Sequence, residues 1–123
     1  MANILIIDDS PTDVRVLSTM LERAGHTVDS VGTAEDGIER VRATPPQLVI
    51  MDVIMPGMNG FQATRTLTRD PATAGVPIVM ITTKSMETDR VWGLRQGARA
   101  FITKPVNEAE LTACINQLLA GAA

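Results

Sequence analysis

The chain has 123 residues, 45% of them hydrophobic, and a formal net charge of −3. Residues 1–123 are therefore expected to form one domain with a real core, which excludes a disordered chain. The negative charge gives no footing for nucleic acid and disfavours an acidic membrane surface.

The single cysteine, Cys114, rules out an internal disulfide and fits a reducing compartment. Asp8 and Asp9 interrupt the first apolar run too early for a signal peptide, and no apolar run approaches membrane-spanning length. A cytoplasmic protein is expected. Nine of the eleven cations are Arg, so Lys84 and Lys104 stand out by scarcity.

Asn3 to Ile7 is a β-branched run that predicts a buried strand, ended by Asp8 and Asp9. Ser10 is placed to cap a helix, with Pro11 at its first position and Asp13 near its third. Val14, Leu17, Leu21 and Ala24 recur at helical spacing beside Met20, and Gly25 stops the helix. Thr27 to Val31 predicts a weaker second strand. Thr33 with Asp36 opens a second helix with Ala34, Ile38 and Val41 on one face. Gly37 is expected to weaken that helix by about 1 kcal/mol relative to Ala. Thr44, Pro45 and Pro46 end it.

Leu48 to Met51 is continuously apolar, as in a strand buried on both faces, and it stops at Asp52. Pro56, Gly57 and Gly60 then demand a turn. A third helix runs from Asn59–Gly60 to about Arg69, with Phe61, Ala63 and Leu67 inward. Pro77 to Thr82 is the fourth strand. Ser85 is expected to cap a helix through Leu94, closed by Gly97. Arg99 to Thr103 is the fifth strand, followed by Lys104 and Pro105. Asn107 with Glu110 caps a last helix carrying Leu111, Cys114, Ile115 and Leu118 on one face.

Five alternations of buried strand and helix imply an α/β domain: a parallel sheet, helices on both faces, right-handed crossovers. The carboxyl ends of parallel strands lie on one edge of the sheet. Asp8, Asp9, Asp52, Thr82 and Lys104 should converge there. Three carboxylates in one pocket repel each other unless a cation joins them, and Mg2+ suits a small set of oxygen ligands. Lys104 adds fixed positive charge and Thr82 a hydroxyl donor. Such a set neutralises and orients a phosphoryl group, with Asp52 as the nucleophile that forms an acyl phosphate. Singly, each residue has a plainer role as helix cap, loop residue or surface lysine. Their agreement across the strand ends carries the reading.

The pair Asp8–Asp9, the block Asp52 to Gly60 (D-V-I-M-P-G-M-N-G), M-I-T-T at 80–83 and T-K-P at 103–105 stand in order. With them the chain resembles the response-regulator receiver domain from end to end. The resemblance implies a flavodoxin-like fold of five βα units with strand order 2-1-3-4-5. It implies Asp52 as phosphoacceptor, Asp9 as a direct Mg2+ ligand, Asp8 as one acting through water, and the Ile54 carbonyl as a further ligand. Thr82 matches the hydroxyl that turns toward the phosphoryl group, Lys104 its lysine partner, and Phe101 the aromatic switch, here without a phenol hydroxyl. It implies a cis Lys104–Pro105 bond. The phosphodonor would be a histidine kinase. The readout would be a protein partner on the face of the fourth helix, fifth strand and fifth helix. Ile54 and Lys84 fall where the family tunes phosphate lifetime. The segments N-G-F-Q-A-T-R and T-T-K-S-M-E-T-D-R-V-W-G-L-R-Q-G-A-R resemble the stand-alone receivers of chemotaxis-like systems that control type IV pili and twitching motility.

The small tail Ala120 to Ala123 after one complete helix fits a stand-alone receiver, monomeric or weakly dimeric. A phosphate sink for a shared kinase, or a fragment of a larger regulator, would use the same site. An aspartate-nucleophile hydrolase is disfavoured because Ile54 stands where such enzymes carry an acid. A docking module that works without phosphate is disfavoured because the whole acidic set is present. Trp92 is expected to lie over neighbouring helix surface, with a partner anchor as the sharper alternative. His26 is expected at the surface, and Cys114 in the core. The methionines are expected to fill the core, except Met55 and Met58 beside the site. Arg90, Arg95 and Arg99 are expected to be solvated.

Overall fold

In the computed structural model, which describes residues 1–121, strands and helices alternate as the hydrophobic pattern requires. The elements are β1 (Asn3–Ile7), α1 (Pro11–Arg23), β2 (Thr27–Val31), α2 (Ala34–Ala43), β3 (Leu48–Met51), α3 (Gly60–Arg69), β4 (Ile78–Thr82), α4 (Glu87–Gln96), β5 (Ala100–Thr103) and α5 (Glu108–Gly121). Ala122 and Ala123, the end of the predicted tail, lie outside the described residues. The strands form one sheet in the order β2-β1-β3-β4-β5, with every pairing parallel. This is the flavodoxin-like arrangement.

Side chains alternate across a strand, so each buried strand feeds two cores. Ile4 and Ile6 face Leu17 and Leu21 of α1 and Leu111 and Ile115 of α5. Leu5 and Ile7 face Ala34, Ile38 and Val41 of α2 and Ala63 and Leu67 of α3. A smaller cluster of Val53, Met80 and Ala98, with Phe61 and Phe101 against it, lies apart from both. Cys114 is half-buried and packs on the first core.

The predicted caps form at α1, α2 and α5. Asp13 N donates to Ser10 Oγ, Asp36 N to Thr33 Oγ1 and Glu110 N to Asn107 Oδ1. At α3, Asn59 and Gln62 close a full capping box. Gly25 and Gly97 follow their helices at φ +92° and +115°, a backbone region that side chains rarely adopt.

Several local expectations are corrected. α4 begins at Glu87 with Met86 as its cap residue, not at Ser85. Asp89 N and Arg90 N reach the Met86 carbonyl, which leaves Ser85 outside the first turn. Ala24 sits past the last turn of α1 and is exposed. β4 and β5 each start one residue later than predicted. Met1 and Met86 are exposed rather than core, and Met55 is buried as part of the second core. Gly37 is more than a weak helix residue: a Cβ there would stand 2.4 Å from Ile7 Cδ1, so α2 approaches the sheet as closely as it does because residue 37 has no side chain.

His26 is also corrected. It is 8% exposed, and its Nδ1 accepts a hydrogen bond from Ala2 N at 3.1 Å. Burial, with the N-terminal charge adding to it, pushes its pKa below the ordinary 6.5. The folded state therefore favours neutral imidazole. Its contribution is complete above the unfolded value and is lost as pH falls through the lower folded value. The melting temperature is expected to drop between about pH 7 and pH 5. His26→Asn, which keeps an acceptor for Ala2 N, should flatten that limb in a calorimetric pH series. An unchanged slope would assign it to other groups.

Candidate functional site

The sheet register builds the site. Ile7 pairs with Met51, so the residues after them, Asp8 and Asp52, emerge side by side. Asp52 N donates to the Ile7 carbonyl at 3.0 Å, and Asp8 N to the Val31 carbonyl at 3.1 Å. Both side chains sit in the rim of the core, Asp8 4% exposed and Asp52 7% exposed. Asp9 is exposed beside them, and one carboxylate oxygen from each of the three lies within 4.8 Å of the others. This is the convergence expected from the strand ends.

Lys104 arrives from the far edge. Its backbone N donates to the Thr82 carbonyl at 2.7 Å, which continues the β4–β5 ladder past Thr103. The Lys104–Pro105 peptide is cis. The ammonium lies 2.9 Å from Asp8 Oδ2 and 3.2 Å from Asp52 Oδ2. A third carboxylate, Asp13 Oδ2, is closer than either at 2.7 Å. Sequence reading missed this contact and treated Asp13 only as a first-turn acid. The only signal was an acid one turn into the helix that starts at the site, and 91 residues separate it from Lys104.

The loop after Asp52 is held from three sides. Ile54 N donates to Asp52 Oδ1 at 3.3 Å, Gly57 turns the chain at φ +76°, and Gly60 N donates to the Val53 carbonyl at 2.9 Å. Ile54 is exposed at the mouth. Thr82 is fully buried, and its Oγ1 accepts from Lys84 N at 3.3 Å, so the hydroxyl is engaged on its own loop. Phe101 pairs in register with Met80, one strand repeat below Thr82. It is half-buried against Met80, and a Cβ on Gly93 of α4 would come within 3.0 Å of its ring.

Charge in this pocket is strongly coupled. Burial pushes the Asp8 carboxyl above its ordinary range, the bonds from Ser10 N and Lys104 offset part of this, and the charge of Asp52 adds to it. Burial also works against the Lys104 charge. The bonds to Asp13 and Asp8 and the charge of Asp52 outweigh it and hold the ammonium well above its ordinary range. One buried cation thus faces the acidic cluster, which keeps an excess of negative charge. Asp8, Asp9 and Asp52 offer only hard oxygen donors, within the spacing a small divalent ion bridges. Their chemistry fits such an ion.

Residues 4–116 match the response regulator receiver domain, and the chain belongs to that family. It is 53% identical to Protein PilH of Pseudomonas aeruginosa over 98% of this chain and 100% of PilH. It is 35% identical to the response regulator PleD of Caulobacter vibrioides over 95% of this chain but 26% of PleD. Its fold superposes on a putative response regulator from Chloroflexus aurantiacus with a TM-score of 0.93 at 28% identity, covering 97% of this chain and 98% of that one.

Proposed function

We propose that residues 1–123 are a stand-alone receiver whose Asp52 accepts a phosphoryl group from the phosphohistidine of a histidine kinase. The observation that carries this is the buried Asp52 carboxylate set between Asp8, Asp9 and the Lys104 ammonium. In the transfer the donor's P–N bond breaks, an Asp52 Oδ–P bond forms, and the leaving imidazole takes up a proton. Asp8, Asp9, Asp52 and the Ile54 carbonyl would hold Mg2+. When bound, the ion supplies positive charge beside the phosphoryl oxygens. Lys104 offers an N–H from the opposite side. Thr82 would turn its hydroxyl from Lys84 N toward the phosphoryl group, and Phe101 would follow into the space it leaves.

The shift would be read by a protein partner on the α4-β5-α5 face. Apart from Gly93, the described side chains of α4 are not fully buried, and Trp92 is 48% exposed. Half of Trp92 is open to solvent, which favours the partner-anchor alternative over packing across neighbouring helix surface. Met86, Val91 and Leu94 are exposed with it. Among the described residues no helix is long and apolar enough to cross a membrane, which is consistent with a cytoplasmic location. The full-length match to PilH, at 53% identity, fits the pilus-related role that the sequence resemblance implied, chemotaxis-like control of type IV pilus twitching motility. The chain would act as a monomer or weak dimer.

The test uses the intact chain with a small phosphodonor. Trp92 fluorescence is expected to change in the presence of Mg2+ and to stay constant when the ion is chelated. Equal traces in the two conditions, with no phosphate incorporated, would overturn the proposal.

A further inference from the structure

We infer that Asp13 is a positioning residue that aims the Lys104 ammonium at the phosphoryl site; this rests on the reading of Asp52 as phosphoacceptor. An ammonium has three N–H donors. Here they meet three carboxylates, at 2.7 Å for Asp13, 2.9 Å for Asp8 and 3.2 Å for Asp52. The shortest contact goes to the one acid that stands outside the cluster of Asp8, Asp9 and Asp52. Charge-assisted bonds of this length are the strong ones.

The three contacts are not equivalent during a reaction. A cation held by the cluster would share the Asp8 and Asp52 carboxylates that also face Lys104, and their hold on the ammonium would loosen. Asp13 is 39% exposed and stands outside the clustered acids, so its own carboxylate is not drawn into that exchange. It is also well moored. Asp13 N donates to Ser10 Oγ, Val14 N donates to the Ser10 carbonyl, and Ser10 N donates to Asp8 Oδ1. Leu17 and Leu21 anchor the same helix in the core. Asp13 thus ties a long, flexible lysine to a rigid helix, with the longest of its three bonds directed at Asp52. The phosphoryl oxygen can take that third N–H while Asp13 keeps the other end fixed. Asp13 does not itself touch the reacting atoms.

The experiment compares wild type with Asp13→Ala and Asp13→Asn. The backbone amide of residue 13, not its carboxylate, meets the Ser10 cap, so both variants keep the helix start. With only two lysines in the chain, the side-chain ammonium signal of Lys104 can be followed directly by nitrogen-edited NMR in the Mg2+-free protein. That signal is expected in wild type and Asp13→Asn, which retains an oxygen acceptor, and is expected to broaden into exchange in Asp13→Ala. The rate of phosphorylation by phosphoramidate at saturating Mg2+ should fall about tenfold in Asp13→Ala, the worth of one charged hydrogen bond. Asp13→Asn should recover most of it. Wild-type rates in Asp13→Ala, or faster phosphorylation in both variants, would overturn the assignment, the second result making Asp13 a competitor for the lysine. If wild type itself takes up no phosphate, the functional reading fails and this one with it. If wild type is labelled and Asp13→Ala is labelled equally fast, only the role of Asp13 falls.

Discussion

Asp52→Asn should take up no phosphate that is stable to acid and labile to base. The loss is expected to be at least about 100-fold, because the amide cannot form the acyl phosphate that defines this chemistry. The fold should survive. Asn is nearly isosteric, its Oδ1 can still accept from Ile54 N, and Lys104 keeps Asp8 and Asp13 as partners. Removing one negative charge from a crowded pocket should also leave the Mg2+-free protein no less stable than wild type. The measurement is mass spectrometry of the intact chain after exposure to a small phosphodonor, with a thermal melt alongside. A variant that folds and is labelled as fast as wild type would move the nucleophile to another acid.

Gly60→Ala should be the most damaging single methyl group near the site. An added Cβ would stand 2.0 Å from the Asp52 carbonyl oxygen and 2.8 Å from Val53 Cα. Those are backbone atoms, and no rotamer change relieves the overlap. The start of α3 would have to move off the strand end that carries Asp52. The expected cost is about 3 kcal/mol or more, a fall in melting temperature on the order of 10 °C. Phosphorylation of the fraction that remains folded should slow as well, since the Asp52 backbone is the surface being displaced. Gly75→Ala is the internal control. Nothing lies within 4 Å of a Cβ at that position, so its melt should stay within about 0.5 kcal/mol of wild type. Equal melts for the two variants would show that α3 relaxes freely and that the close approach is not required.

The elements of this fold were legible because their signals are local. Apolar runs such as Leu48 to Met51 show buried strands, Ser10, Thr33 and Asn107 each mark a helix start within a few residues, and Gly25 and Gly97 mark helix ends. A parallel sheet then obliges Asp8, Asp9, Asp52, Thr82 and Lys104 to meet at one edge, so the acidic cluster could be inferred before any coordinate was known. Strand order came from resemblance, since periodicity does not distinguish one right-handed winding from another.

What tertiary structure decided depends on atoms distant in the chain. Gly37 and Gly60 read as a weak helix residue and a turn residue, and only the approach of Ile7 and of the Asp52 backbone shows what their missing side chains allow. His26 read as a surface residue until the chain's first residues folded over it. Trp92 read as packing over neighbouring helix surface, and only the fold shows it half exposed on a helix that buries little. Asp13 is the clearest case. By itself the sequence determined that an acid stands in the first turn of α1 and that a lysine follows β5. That the lysine's shortest bond is to this acid, rather than to Asp52, was set by the β5–α5 loop bringing Lys104 to the start of α1, and no local pattern encodes a contact across 91 residues.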